Sequence, residues 1–328
     1  MFVVAKRPML TQMALRAEKS GSGGGTGSGT KEARIMGQSN QMQTSSVQVR
    51  NILTRTTGFL KTVTSHSAQP YRGCSFGMSL CGIGCYVQHN HYLTRGQAWG
   101  RFLEARENAA ASYLQTVERE RKWARRSLGR FGIFLSSSTE PFLPQESRYR
   151  VTRALLEAMK REPPDFLILQ THSHRVVEYL QLYLALKECC ELRVHISIET
   201  DRERIPGLPA HASSVARRFE AATALKAAGV RTVITVSPLL PIEDPEEFFA
   251  RVSRSADAVV IDHFIEGDGT PDGRRTLRTA LPAAMGALHP DALTVEYRDS
   301  MVQVARRYLP GRVGVSIDGF AGRYLPGP

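Results

Sequence analysis

The densest chemistry in the sequence lies in Tyr71–His91, YRGCSFGMSLCGIGCYVQHNH, where Cys74, Cys81 and Cys85 stand among Gly73, Gly77, Gly82 and Gly84. Six residues separate the first two cysteines and three separate the last two. Thiolates this close on a glycine-rich loop can converge on one metal centre, because glycine lets the backbone wrap it without steric penalty. An iron–sulfur cubane held by three cysteines keeps one iron open for a substrate or cofactor. Zinc is the rival. His89 and His91 follow Cys85 with three and five residues between, so a Cys₃His site is chemically sound and approximates an RNA-binding zinc-finger pattern. Small buried apolar cysteines are the plain alternative, yet three cysteines among four glycines make a poor core strand. Cys189 and Cys190, beside a predicted helix end, read as buried residues without a chemical role.

A loop of this kind needs a frame, and the sequence supplies one from Phe131 onward. Strands are predicted at Phe131–Leu135, Phe166–Gln170, Leu192–Ile198, Val230–Val236, Ala258–Ile261 and Gly311–Ile317. Helical patterns lie between them at Tyr149–Lys160, Arg175–Glu188, Ser213–Ala228 and Pro245–Ser253. Strand–helix units with short links predict an α/β fold with a parallel sheet, and continuous apolar strands favour a barrel or part of one. Ahead of these, Gln97–Arg126 predicts one long helix whose buried stripe is Phe102, Ala109, Tyr113, Val117 and Trp123. It would be the crossover from the cysteine loop to the next strand.

Ligands of parallel sheets bind at the carboxyl ends of the strands, which directs attention to the polar residues there. Those are Ser138, Thr139 and Glu140, then His172 and His174, then Ser197 and Glu199, then Asp262 and His263. Each has a bland reading beside the chemical one: a helix cap for the hydroxyls, a satisfied structural ring for the histidines. Asp268 between Gly267 and Gly269 is a turn signal, and Arg274, Arg275 and Arg278 read as a solvated face. No phosphate-binding loop, nucleophile elbow or complete dinucleotide fingerprint is present.

The 328 residues suffice for one large domain or two ordinary ones, and 42% are apolar, as in a globular protein. No apolar run approaches the roughly 20 residues that cross a bilayer, so no membrane span is expected. Met1–Arg16 lacks the pattern of a secretory signal. Five cysteines, an odd number, argue against a disulfide scaffold and for a reducing, cytoplasmic compartment. Charge is unevenly spread: residues 1–130 hold 19 Lys/Arg against 6 Asp/Glu, and Ala33–Leu103 contains no acidic residue. A basic front half fits a nucleic-acid partner, a solvated arm and helix, or acid-free surroundings for an anionic cluster. Residues 1–50, with SGSGGGTGSGT at Ser20–Thr30, read as a disordered arm. The expected division is that arm, a barrel over 51–285 and a C-terminal extension over 286–328.

The surroundings of the cysteines resemble the radical S-adenosylmethionine superfamily, specifically its spore photoproduct lyase-like branch. The similarity runs through Tyr71-Arg72-Gly73-Cys74, Cys85-Tyr86-Val87-Gln88, Ser136–Glu140 with Pro141, Ser197–Asp201, Ser237–Ile242 and Asp262–Gly269, in that order. It spans roughly residues 70–320. The resemblance implies an incomplete parallel (βα)₆ barrel around a [4Fe–4S] cluster and S-adenosylmethionine, with Cys74, Cys81 and Cys85 as iron ligands. It implies cleavage to a 5′-deoxyadenosyl radical that abstracts hydrogen, and a reduced flavodoxin- or ferredoxin-type electron donor. Ser138, Thr139 and Glu140 would contact the methionine amino group, Ser197 and Glu199 the ribose or carboxylate, and Tyr86, Asp262 and His263 would serve catalysis. The cysteine spacing is longer than the superfamily's three and two, and Gly84 stands where an aromatic often precedes the third cysteine. The lyase's hydrogen-donating cysteine falls near Ser137, with no cysteine between Tyr86 and Glu188, and Thr171-His172-Ser173 replaces its Thr-Lys-Ser. A serine O–H is too strong a bond to return hydrogen to a carbon radical. The resemblance therefore implies radical chemistry on an unassigned substrate, not DNA photoproduct repair. A zinc- or cluster-bearing nucleic-acid-binding protein on a degenerate barrel is the alternative.

Overall fold

The computed structural model describes residues 42–327. In chain order its strands are β1 (Gln43–Val47), β2 (Leu53–Arg55), β3 (His66–Ala68), β4 (Tyr71–Gly73), β5 (Phe102–Arg106), β6 (Gly132–Leu135), β7 (Phe166–Thr171), β8 (Glu191–Ser197), β9 (Thr232–Val236), β10 (Ala258–Ile261) and β11 (Val313–Val315). The larger sheet has the order β2-β3-β6-β7-β8-β9-β10-β11. All its neighbours are parallel except the β2–β3 pair. β2 and β11 are its two edges, so the sheet is an incomplete barrel of the α/β class. The six strands expected from Phe131 onward are all present in this sheet.

Alternation along the strands sorts the core into two layers. Ile133, Leu135, Leu167, Leu169, Val194, Ile196, Ile234, Val236, Val259 and Ile261 face the covering helices and belong to the main core. Phe134, Ile168, Val233 and Val260 point inward, where Val63 and Phe320 join them. Phe320 lies 6.4 Å from Phe134 and 5.8 Å from Phe59 between ring centres, so the chain after β11 closes the floor beneath the first strands. His195 belongs to this inner layer: burial, with Arg193 and Arg231 nearby, pulls its pKa down to about 3 and keeps the ring neutral. Above the layer the inward positions turn polar: Ser136, Gln170, Ser197, Thr235 and Asp262 end the same alternation at the carboxyl mouth.

Three expectations need correction. Gln97–Arg126 is not one helix: Phe102–Arg106 forms β5, and the helix begins at Ala109 and runs to Leu128. Phe102, Leu103 and Ala105 are buried, and β5 is paired on both sides, parallel with β1 and antiparallel with β4. That pairing, with burial on both faces, outweighs helix propensity. The predicted arm ends earlier than residue 50, because Gln43–Val47 is β1; the arm's first 41 residues lie outside the described residues. No boundary falls at 285. The helix Leu281–Leu288 runs across it, the helix Val295–Tyr308 packs on Pro245–Ser255, and β11 extends the main sheet.

Candidate active site

β4 leads directly into Cys74, and Arg72 fixes both ends of the cysteine loop. Its buried guanidinium donates to Glu104 on β5 (Nε, 2.6 Å), to the Leu93 carbonyl (2.5 Å) and to Gln97 Oε1 (3.0 Å). The chain entering the loop is thereby tied to the chain leaving it. Inside the loop the backbone folds onto itself at glycines. A Cβ on Gly82 would stand 2.3 Å from Gly77 backbone, and one on Gly77 would stand 2.4 Å from Gly100.

Cys74, Cys81 and Cys85 line a single cavity of about 120 Å³, together with Ser138, Thr139 and Glu140. Burial and neighbouring negative charge push the Cys74 and Cys85 thiols up to about 12, and Cys81 is raised as well. Three thiolates cannot share this space without a cation, which is what a metal centre provides. Among the described residues no three His, Cys, Asp or Glu side chains converge on a single ion's position. A cubane asks for something different, thiols spread round a cavity so that each takes its own corner. His89 and His91 are exposed and do not line the cavity, so neither joins the three sulfurs that do.

Two further cavities adjoin the first. One of about 120 Å³ is bounded by Cys81, Cys85, Glu199, Asp262 and His263. The other, about 310 Å³, opens inward toward Ser197, Gln170 and Phe320. Tyr86 and His172 line all three.

Glu140 is held by its own loop: Oε1 accepts from Phe142 N–H (2.9 Å) and Thr171 Oγ1 (2.6 Å), and Oε2 accepts from His172 N–H (2.8 Å). A carboxylate has about four acceptor positions, so one on Oε2 is left. Burial raises its pKa against the pull of His172. Thr139 Oγ1 donates to the Tyr71 carbonyl at 3.0 Å, bonding the β6 end to the β4 end. Glu199 is buried in an ion pair with Arg218 (2.7 Å), and His172 Nε2 stands 3.1 Å from its other oxygen. Opposed to the cost of burial, the Arg218 guanidinium and the His172 ring beside it hold Glu199 well below the usual carboxylate range. Ser197 Oγ accepts from Gln170 Nε2 at 2.6 Å and contacts Thr235 Oγ1 at 3.1 Å.

Asp262 faces two of the cavities. It accepts from Ser316 Oγ (2.7 Å) and Ser237 Oγ (3.2 Å), and burial pushes its pKa up to about 6. Tyr86 donates its hydroxyl to the Ser137 carbonyl at 3.2 Å. His263 Nε2 contacts the Ala292 carbonyl (3.1 Å) and its Nδ1 accepts from Ile265 N–H (3.1 Å), so both ring nitrogens are used in holding the loop. It lines one of the cavities. His174 is engaged with Ser213 (2.6 Å), and Asp268 is used in its turn by Thr270 and Thr276. Cys189, expected buried, is exposed.

Gln170 was not singled out in the sequence, whereas His172 stood there with both a chemical and a structural reading. The signal for Gln170 was parity: it shares the inward face of β7 with Phe166 and Ile168, and is the first polar residue on it.

No family model matches the chain, and no curated protein matches it. Solved structures do. Spore photoproduct lyase complexed with dinucleoside spore photoproduct aligns over 83% of this chain and 81% of that one, with a TM-score of 0.56 at 16% identity. A Tyr-to-Phe variant of the same lyase aligns over the same shares with a TM-score of 0.56 at 13% identity. The fold is that of spore photoproduct lyase. At such identity the likeness to the lyase is one of architecture. Among the described residues no helix is long and apolar enough to cross a membrane.

Proposed function

We propose that this chain is a radical S-adenosylmethionine enzyme in which Cys74, Cys81 and Cys85 hold a [4Fe–4S] cluster. One observation carries the reading: three thiols of one clamped loop line a single cavity at the carboxyl mouth of a sheet with the lyase's fold. When bound, the cluster and S-adenosylmethionine supply a 5′-deoxyadenosyl radical that takes a hydrogen atom from the substrate. The chain's own residues do the rest. Glu140, with its remaining acceptor position, and the neighbouring Ser138 and Thr139 receive the amino group of the methionine moiety. Ser197 and Glu199 serve the ribose and carboxylate side, Glu199 through the Arg218 and His172 side chains it keeps in place. Tyr86 and Asp262, facing the shared space, are the residues assigned to the substrate's side of the reaction.

The substrate is not that of the lyase by default, since apart from the three proposed cluster ligands no cysteine shares the cavity of Ser137 to return hydrogen. A nucleic-acid-type partner is supported by the basic residues of 1–130 and by the lyase's complex with a dinucleoside. A flavodoxin- or ferredoxin-type protein is the proposed electron donor, and the unpaired cysteines support a cytoplasmic site of action.

Anaerobic reconstitution with iron and sulfide tests the reading, followed by assay of Fe, S and Zn per chain and EPR of the reduced protein. Four irons, with a spectrum that shifts on adding S-adenosylmethionine, are expected. One zinc and no iron would replace the enzyme with a Cys₃His binding module.

A further inference from the structure

A fourth cavity, of about 210 Å³, shares no lining residue with the three of the active site. Its walls belong to the two chain segments that leave the carboxyl ends of β6 and β7, and Arg150, Arg153 and Arg175 line it. Two carboxyl groups line it as well, and both are already engaged. Buried Glu146 accepts from Tyr71 Oη and Thr152 N–H (3.1 Å) on Oε2, and from Arg153 N–H (3.0 Å) and Tyr179 Oη (2.8 Å) on Oε1. Those donors fill the acceptor positions of a carboxylate. Glu178 is met by Arg175, through Nε at 2.9 Å and Nη2 at 3.0 Å, which leaves Arg175 Nη1 unspent. Arg153 lies over the Tyr179 ring, 4.7 Å from its centre, a contact that steadies the guanidinium. Neither carboxyl answers Arg150 or Arg153, and three guanidinium groups against two carboxyls leave the cavity a net positive charge.

Size and donor geometry select the ligand. Sites for whole ligands run to roughly 300–1,000 Å³, so 210 Å³ suits one group of a larger molecule. Each guanidinium fork matches a pair of oxygens, so three forks around one space ask for more oxygens than a carboxylate has. A tetrahedral phosphate presents them on every side.

We propose that this cavity binds a phosphate group, held by Arg150, Arg153 and Arg175, while the rest of its carrier stays outside. The carrier is a nucleic-acid strand or a small organic ester. The inference goes beyond the enzyme reading, because the site lies apart from the reaction cavities and needs neither iron nor S-adenosylmethionine.

Isothermal titration calorimetry of the full-length protein with inorganic phosphate, and with acetate as the two-oxygen control, tests the site. Phosphate is expected to bind about tenfold more tightly than acetate, the worth of one charge-assisted hydrogen bond. The double variant Arg150→Gln, Arg153→Gln should lose at least about tenfold in phosphate affinity. Equal affinity for the two anions overturns the proposal. So does an unchanged phosphate affinity in the folded double variant. The comparison of anions on the unaltered chain stands even if that variant fails to fold.

A short labelled single strand, followed by fluorescence anisotropy, separates the carriers. If a strand supplies the group, inorganic phosphate competes with it and the double variant binds it more weakly. The slope of log affinity against log salt should then shrink by about 0.7, the share of one phosphate contact. A double variant that loses inorganic phosphate but keeps the strand assigns the site to a small ester. A chain that binds phosphate selectively but no strand removes the nucleic-acid partner alone. A chain that binds the strand without preferring phosphate to acetate sinks this inference alone.

Discussion

Asp262 shows what burial does to one carboxyl. Its pKa of about 6 exceeds the value of about 3.9 in an unfolded chain, so the folded protein holds this proton more tightly. Its contribution is most favourable below the unfolded value and is lost as pH rises through 4 to 6. Asp262→Asn removes that dependence while keeping a side chain that Ser237 and Ser316 can still bond. Relative to the variant, the parent protein should lose on the order of 3 kcal/mol between pH 3.5 and pH 8, read from urea unfolding of both without added iron. Parallel pH profiles would show that the carboxyl is solvated. The cysteines give a second contrast. Cys81→Ala should abolish iron loading, whereas His89→Ala should leave it whole, since His89 is exposed and lines none of the cavity. Loss of metal in the His89 variant would favour the zinc site. These residues were legible because thiols and strand-end carboxylates announce themselves by type. Gln170 was not, because its importance comes from spending both N–H bonds on hydroxyls of two other strands, which no local pattern records.

At the level of elements, the cysteine loop depends on close backbone approach. Gly82→Ala would drive a Cβ to 2.3 Å from Gly77 backbone, atoms that cannot swing aside. The expected outcome is a folded barrel, by circular dichroism, that takes up well under half the iron of the parent; full loading would mean that the loop relaxes. Arg72→Ala should cost more, roughly 3–5 kcal/mol, because it leaves Glu104 without its buried partner and frees the Leu93–Gln97 exit. A denaturation midpoint equal to the parent's would contradict this. The parallel strands were readable since each is a continuous apolar run ended by glycine or polar residues. The small sheet was not. β1 is QTSSV with four exposed residues of five, β4 is three residues long, and β5 passes into an alanine-rich helix that carries its helical signal backward. What makes them strands is mutual pairing across long sequence separations, a property of the fold rather than of any one segment.

For the whole molecule, the asymmetry of charge gives a prediction that needs no assigned substrate. If the basic half meets nucleic acid, binding to a labelled duplex should fall by at least an order of magnitude between 50 and 200 mM salt, as counterion release requires. Absent or salt-indifferent binding would assign those arginines to solvation. Strand order has a different consequence. From β3 through β6, β7, β8, β9 and β10 to β11, each strand in the sheet lies beside the one synthesised before it. A chain leaving the ribosome can thus lay down its sheet one edge at a time, without waiting for a distant partner. The floor is the exception. Phe320 follows β11 in the chain, so the interior stays unsealed until every strand of the sheet has been made, and a chain cut just after Val315 has its whole sheet but is open to water from below.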